Sequence, residues 1–268
     1  MKYVGLVFLG LLVYAFLIEP FLLSIERLDL LFDDLPDEFD GFKIVQVSDF
    51  HLSNFTPLHV KVLTAINTEK PDMIAITGDF NGKHLTELGK GFCKNIAEKS
   101  RSVFAVLGNW DHRVKNLDFL VKSIEDSGIS VLINRSAVIE RNGKELFIAG
   151  TDDSFTGNED LGKTFKSIPK NSFVVMLTHC PDIIYDAVKY KPQLVLSGHT
   201  HGGQVKVPFI TAIFVPSKFG MRFLSGLFRV KRTYLYVNRG IGTSHIPVRF
   251  LSLPELTVIT LHQKKLAG

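Results

Sequence analysis

Seven side chains able to bind a hard or borderline metal ion close short apolar runs in this sequence: Asp49 and His51, Asp79, Asn109, His179, and His199 with His201. Carboxylate, imidazole and amide oxygen suit Mn, Fe, Zn or Mg better than soft copper, and the set needs no thiolate. Two such ions bridged by one aspartate, about 3.5 to 4 Å apart, can clamp the attacking and leaving oxygens of a phosphoryl transfer. Water held by the pair is acidified and supplies hydroxide near neutral pH. Each fragment alone has a plainer explanation. An Asp at a strand end is often a helix cap, the His beside it a satisfied polar contact, and Gly78-Asp79 and Gly108-Asn109 are as readily turns. Gly198-His199-Thr200-His201-Gly202-Gly203 is harder to dismiss, because its glycines permit close backbone approach and one loop offers two imidazoles. It is the five pieces together, all at strand ends, that point to metal chemistry.

The elements that position them follow from hydrophobic patterning. Apolar runs at 43–47, 73–76, 103–107, 173–177 and 194–196 each end at a candidate ligand and read as buried strands. Helical periodicity fits between them at 57–69, 84–99, 115–127 and 181–189, the first and last opening on proline. Asn142-Gly143 between two apolar segments signals a two-residue hairpin, so antiparallel strands enter a mostly parallel pattern. This is the grammar of an α/β fold, in which loops at the carboxyl ends of strands converge on one crevice. Leu22 to Leu30 partly alternates, as a half-buried strand would. With no repeat or linker in sight, residues 40–263 read as one catalytic domain.

At 268 residues with 46% hydrophobic content, the chain has room for one substantial core. A net charge of +4 fits anionic partners without the dense basic clustering of a duplex-binding surface. Cys93 and Cys180 are too few for a disulfide framework. Residues 1–25 read as a membrane anchor, since Tyr3 to Ile18 is uncharged and almost wholly apolar. Its length, about 24 Å as a helix, is marginal for a bilayer core of about 30 Å. A secretory signal is the rival, but no A-x-A cleavage site follows. Lys2 alone would leave the N-terminus cytoplasmic, and a monotopic anchor also stays open, so the membrane face is undecided.

Asp49-Phe50-His51, Gly78-Asp79, Gly108-Asn109, Thr178-His179 and Gly198-His199-Thr200-His201, in this order, resemble the calcineurin-like metallophosphoesterases. Longer segments resemble the membrane-associated YkuE/YaeI-type branch: Glu19-Pro20, Ser197 to Val205, Arg239 to Ser244, and Pro247-Val248-Arg249-Phe250. The resemblance implies a four-layer α-β-β-α sandwich with two mixed sheets, and two divalent ions, Mn²⁺ favoured over Fe²⁺, Zn²⁺ or Mg²⁺. It further implies one ion on Asp49, His51, Asp79 and His201 and the other on Asp79, Asn109, His179 and His199. The family usually places a histidine after the Gly-Asn, where it protonates the leaving group or steadies the transition state. Here that residue is Trp110. Either the leaving group departs unaided or another group donates the proton, and His112, oriented by Asp111, is the nearest candidate.

The substrate expected on these grounds is a phosphodiester or pyrophosphate that is membrane-associated or lipid-linked, with UDP-2,3-diacylglucosamine as a named case. The alternative is a broad-specificity phosphodiesterase or phosphatase acting on soluble or envelope substrates, and a non-enzymatic membrane metal protein ranks below both. Residues 214–236 interleave Lys218, Arg222, Arg229, Lys231 and Arg232 with aromatic and aliphatic residues. Exposed, they would form a cationic surface for anionic lipid; packed, they are an ordinary loop and strand. No nucleic-acid partner is expected, since no reading helix or stacking motif stands out.

Overall fold

The apolar runs expected as strands are buried on both faces, and for that reason they read as near-continuous hydrophobic stretches. The computed structural model describes residues 2–52, 55–80, 87–207, 211 and 215–264. In chain order the strands are β1 (Ser24–Phe32), β2 (Phe42–Val47), β3 (Met73–Thr77), β4 (Ser102–Val106), β5 (Ser130–Val131) and β6 (Arg135–Arg141). They continue as β7 (Lys144–Gly150), β8 (Val174–Leu177), β9 (Leu194–Ser197), β10 (Gly226–Val230), β11 (Thr233–Val237) and β12 (Glu255–Gln263). One six-stranded sheet has the order β1-β12-β2-β3-β4-β5 and the other β10-β11-β9-β8-β7-β6. Both are mixed: β12 runs antiparallel to β2, and β6 and β10 run antiparallel to their neighbours. β6 and β7 form the expected hairpin, with Asn142 and Gly143 both at positive φ as its turn requires.

Strand periodicity sorts the core into layers. Ile44, Val175, Leu177 and Leu196 turn into the space between the sheets. Their neighbours Val45 and Val47 turn outward against Phe92, Ile96, Leu120 and Ile124 of the helices Glu87–Ala97 and Leu117–Glu125. Val174 and Met176 turn outward on the opposite side, against Ile184 and Ala187. The result is a sandwich of two mixed sheets flanked by helices, as the sequence motifs imply. The helix expected over 57–69 forms over Pro57–Glu69. The one expected over 84–99 is helical over Glu87–Ala97, residues 84–86 lying outside the described residues. The segment at 181–189 splits into a 3₁₀ turn, Pro181–Ile183, and a short helix, Ile184–Ala187.

The expected boundaries at residues 25 and 40 meet a different arrangement. β1 pairs with β12 along its length, Ser24 to Phe32, so the sheet takes in chain upstream of residue 40 and Ile25 lies inside a strand. Before it, Tyr3–Phe21 is helical over 19 residues with a mean hydropathy of 2.2 and is largely exposed, long and apolar enough to cross a membrane. Glu19 at its end is fully buried. Its carboxylate accepts the N–H groups of Leu251 (2.9 Å) and Ser252 (2.5 Å), and the Ala15 carbonyl accepts the Arg249 N–H at 3.0 Å.

Residues 214–236 are divided between the two expectations. Phe223 and Phe228 pack on the outer face of the second sheet, and the Arg222 guanidinium lies over the Tyr185 and Phe223 rings. Phe219, Met221 and Leu227 stay exposed. Phe214 lies outside the described residues.

Candidate metal centre

Each strand delivers its polar residue to the same end of the sandwich. Asp49 and His51 follow β2, Asp79 follows β3, Asn109 follows β4, His179 follows β8, and His199 and His201 follow β9. All seven side chains are buried. Five sit in left-handed backbone, at φ of 51° (Asp49), 44° (His51), 56° (Asp79), 73° (His199) and 51° (His201). Such residues cost about 1–3 kcal/mol each and persist only where the surroundings over-determine them. Here the loops are pinned to one another: the Asp49 N–H donates to the Gly78 carbonyl at 3.0 Å and the His51 N–H to the Asp79 carbonyl at 3.1 Å. A Cβ on Gly108 would run into the Asp79 carboxylate, so only glycine lets these loops approach.

The donor atoms face one another. His51 Nε2 is 3.1 Å from His201 Nε2, which is 3.4 Å from Asp49 Oδ1. His199 Nδ1 is 3.1 Å from His179 Nε2, and Asn109 Oδ1 is 3.0 and 3.1 Å from these two nitrogens. Asp79 Oδ2 lies between the sets, 3.6 Å from His51 Nε2 and 3.4 Å from His179 Nε2. The other ring nitrogens explain the tautomers. His179 Nδ1–H donates to the Thr77 carbonyl (2.7 Å) and His199 Nε2–H to the Pro216 carbonyl (2.8 Å), so His199 Nδ1 and a neutral His179's Nε2 are bare lone pairs. Lone pairs and an amide oxygen about 3 Å apart repel unless a proton on His179 or a metal cation sits between them. Donors about 2.1 Å from a shared ion lie about this far apart, so the residues fit divalent metals. Asp49, His51 and His201 form one candidate metal group and Asp49, Asp79 and His179 another, consistent with a dinuclear centre.

Electrostatics agree. Burial opposes a charge on His179, but the Asp79 carboxylate holds its imidazole well above the ordinary range. The site therefore draws in positive charge. Burial raises Asp49, whereas Asp79 is lowered despite burial because His179 neighbours it. Burial lowers His51 to about 4, and lowers His199 and His201, leaving three neutral imidazoles ready as ligands. Cys93 and Cys180 are buried thiols pushed up to about 12, not thiolates.

The residues around the centre depart from expectation. Asp111 does not orient His112: its carboxylate accepts the N–H groups of Asp79 (2.9 Å), Phe80 (3.0 Å) and Gly108 (2.9 Å), bracketing two ligand loops. His112 pairs instead with Asp152 at 2.7 Å, a partner forty positions away that spacing could not suggest. The main-chain N–H of Trp110 donates to Asp79 Oδ1 at 2.8 Å and leaves the other oxygen to face the imidazoles, while its indole packs edge-on against His51, centroids 5.5 Å apart. A cavity opens beside Asp79, Asn109, His199 and His201, walled by Trp110, Arg113, Phe155, Ile246, Val248 and His245. Sequence reasoning missed Arg113, Gln204, His245, Arg249 and Ser252. Arg249, fully buried, donates to the carbonyls of Arg239, Gly240 and Ser252, and Ser252 Oγ donates to the His201 carbonyl at 2.8 Å. Segments 197–205 and 247–250 were the available signal for Gln204 and Arg249, whose role as braces was not legible, and no motif pointed to Arg113, His245 or Ser252.

Comparison with known proteins agrees with this geometry. The sequence model of the calcineurin-like phosphoesterases matches residues 42–203, which span every candidate ligand. The chain is 35% identical to the Bacillus subtilis metallophosphoesterase YkuE, over 92% of this chain and 88% of that one. It is 30% identical to the Escherichia coli phosphodiesterase YaeI over 84% of each. It is 27% identical to the UDP-2,3-diacylglucosamine pyrophosphatase LpxG of Chlamydia muridarum over 92% of each. A buried cluster of facing donors at strand ends, within the residues that the family model matches, makes the protein a metal-dependent hydrolase, and the chain belongs to the calcineurin-like phosphoesterases.

Proposed function

We propose that this chain is a phosphodiesterase of broad specificity, of the YkuE/YaeI-type branch, working with two divalent ions, Mn²⁺ favoured. Asp49, His51, Asp79 and His201 hold one ion, and Asp79, Asn109, His179 and His199 the other. The observation that carries this is Asp79 Oδ2, which lies between two imidazoles of different sets, 3.6 and 3.4 Å from their nitrogens. When bound, the ions supply an acidified water and positive charge against the phosphoryl oxygens. The chain's own part is orientation. Trp110 fixes one oxygen of Asp79, Asp111 clamps the loops that carry Asp79 and Asn109, and the Thr77 and Pro216 carbonyls fix two imidazoles. His112 stays a candidate proton donor through its Asp152 pair.

The protein is anchored in a membrane by its N-terminal helix. The hydrogen bonds of Glu19 and Ala15 to residues 249–252 support retention of the helix, since cleavage after it would strip the brace beneath His201. Exposed Met221 and Leu227 beside Arg222 and Arg229 support a second lipid contact. A pyrophosphatase acting on UDP-2,3-diacylglucosamine is the second reading, favoured by the similarity to LpxG and by the apolar cavity wall of Phe155, Ile246 and Val248.

The deciding assay uses the full chain in detergent, stripped and reloaded with Mn²⁺, with Asp79→Asn as control. It compares bis-p-nitrophenyl phosphate with UDP-2,3-diacylglucosamine. Turnover of the aryl diester that vanishes in the variant supports the phosphodiesterase. Much faster cleavage of the lipid nucleotide would move the assignment to the pyrophosphatase, and no metal-dependent turnover of either would remove both.

A further inference from the structure

The position where a leaving-group acid is expected carries an indole, yet an imidazole lies against that indole from another part of the chain. The His245 ring is tilted over Trp110 with centroids 4.9 Å apart, and the Arg113 guanidinium lies 4.5 Å from the same ring. Trp110 is itself fixed to the centre by its main-chain N–H on Asp79 and by the edge-on contact of its indole with His51, centroids 5.5 Å apart. His245 lines the same cavity as Asp79, Asn109, His199 and His201, while His112 does not.

The placement is built. Gln204, immediately beyond the His199/His201 loop, grips the chain on both sides of His245. Its Oε1 accepts the Ser244 N–H (3.0 Å) and hydroxyl (3.1 Å), and its Nε2 donates to the Ile246 carbonyl at 2.8 Å. The loop that brings two ligands thus also positions the imidazole. Among the described residues of the cavity outside the ligand sets, His245 and Arg113 alone carry ionisable side chains. A guanidinium gives up no proton near neutrality, whereas imidazole exchanges one readily there.

We propose that His245 is the catalytic acid that replaces the missing histidine, with Gln204 as its positioning residue and Arg113 attracting the anionic substrate. The inference rests on the phosphoesterase reading above. Water attacks phosphorus as the bond from phosphorus to the leaving oxygen breaks, its electron pair staying on that oxygen. The leaving oxygen takes the proton of the His245 imidazolium, the attacking water sheds its own proton to solvent, and the neutral imidazole is reprotonated from solvent. A recruited acid of this kind suits poor leaving groups as well as good ones.

The test is a series of aryl and alkyl phosphodiesters of increasing leaving-group pKa, run on Mn²⁺-loaded full chain, on His245→Ala and on His112→Ala. The expected result is a loss in His245→Ala that grows along the series, reaching about 100-fold for alkyl leaving groups, so that log kcat falls more steeply with leaving-group pKa. Gln204→Ala should show the same trend more weakly. Binding of inorganic phosphate, followed through the fluorescence of the sole tryptophan, Trp110, should survive in His245→Ala. A loss uniform across the series, an unchanged slope, or a steepened slope in His112→Ala instead would overturn the proposal. Wild-type chain with no turnover of any diester would instead overturn the phosphoesterase reading itself.

Discussion

The imidazoles of His179 and His199 are each held from behind by a main-chain carbonyl, Thr77 and Pro216 respectively, at 2.7 and 2.8 Å. His201 differs: its buried Nδ1 has no hydrogen-bond partner among the described residues. In the ligand sets proposed above, one ion position therefore has two imidazoles with fixed tautomers, and the other includes a ring stacked on His51, centroids 5.0 Å apart, with no carbonyl behind it among the described residues. Outer partners of ligating histidines fix ring orientation and raise basicity, and losing one typically costs about 10–100-fold in metal affinity. The two halves of the centre are thus expected to bind metal unequally, the His179/His199 half more tightly.

The largest effect should come from the residue both halves share. Asp79→Asn is expected to lower kcat by roughly 10³-fold or more, in the range of losses seen when a preorganised charge-stabilising group is removed. Steady-state hydrolysis, with thermal unfolding as a control for folding, measures it. A variant retaining most of its activity would remove the bridge and leave two independent halves.

Next in size is the asymmetry itself. Calorimetric titration of stripped protein should show two equivalents of metal separated by about 10–100-fold in affinity. His201→Ala should erase the weaker event and His179→Ala the stronger. Two equal events, or the reverse pattern in the variants, would break the comparison.

A smaller signal sharpens it by proton count. In metal-free protein burial opposes a charge on His179 but the Asp79 carboxylate favours it and shifts the imidazole upward, and a proton held there must leave before the ring becomes a ligand. Metal binding should therefore release a proton, and apparent affinity should fall as pH falls. His51 is lowered to about 4 by burial and contributes no such release at neutral pH. Titrations in buffers of different ionisation enthalpy read the release, which should accompany the tighter event.

The smallest expected effect is confined to the weaker half. A Cβ on Gly198 would run into Ser48 and the Asp49 carboxylate, so Gly198→Ala should displace Asp49 and destabilise the fold by about 1–3 kcal/mol. Loss of the weaker metal event with the tighter one intact would locate the damage where the comparison puts it.

Much of this was legible because it is local. Val174 to Leu177 reads as a strand since both its faces are buried, and Asn142-Gly143 reads as a hairpin since its two positive φ values suit those residue types. The donors could be picked out because each closes an apolar run. Their mutual contacts could not be measured in advance, because they depend on sheet order: β12, last in sequence, lies between β1 and β2, the first two strands. The same limit hid the partner of His112. Spacing offered Asp111 next door, but that carboxylate is consumed by three backbone N–H groups, and Asp152 arrives from the far sheet.

What the sequence determined by itself is the periodicity of burial and the chemical type of the residue at each strand end, since both depend on neighbours within a few positions. Tertiary structure alone decided which distant groups meet. Glu19 reaches Ser252 across 233 positions, and His51 meets His201 across 150. His245 comes to rest on Trp110 because Gln204 pins its loop from a different strand end. Such encounters are fixed by how the two sheets stack and which loops share an edge, and no pattern confined to adjacent residues encodes that distance.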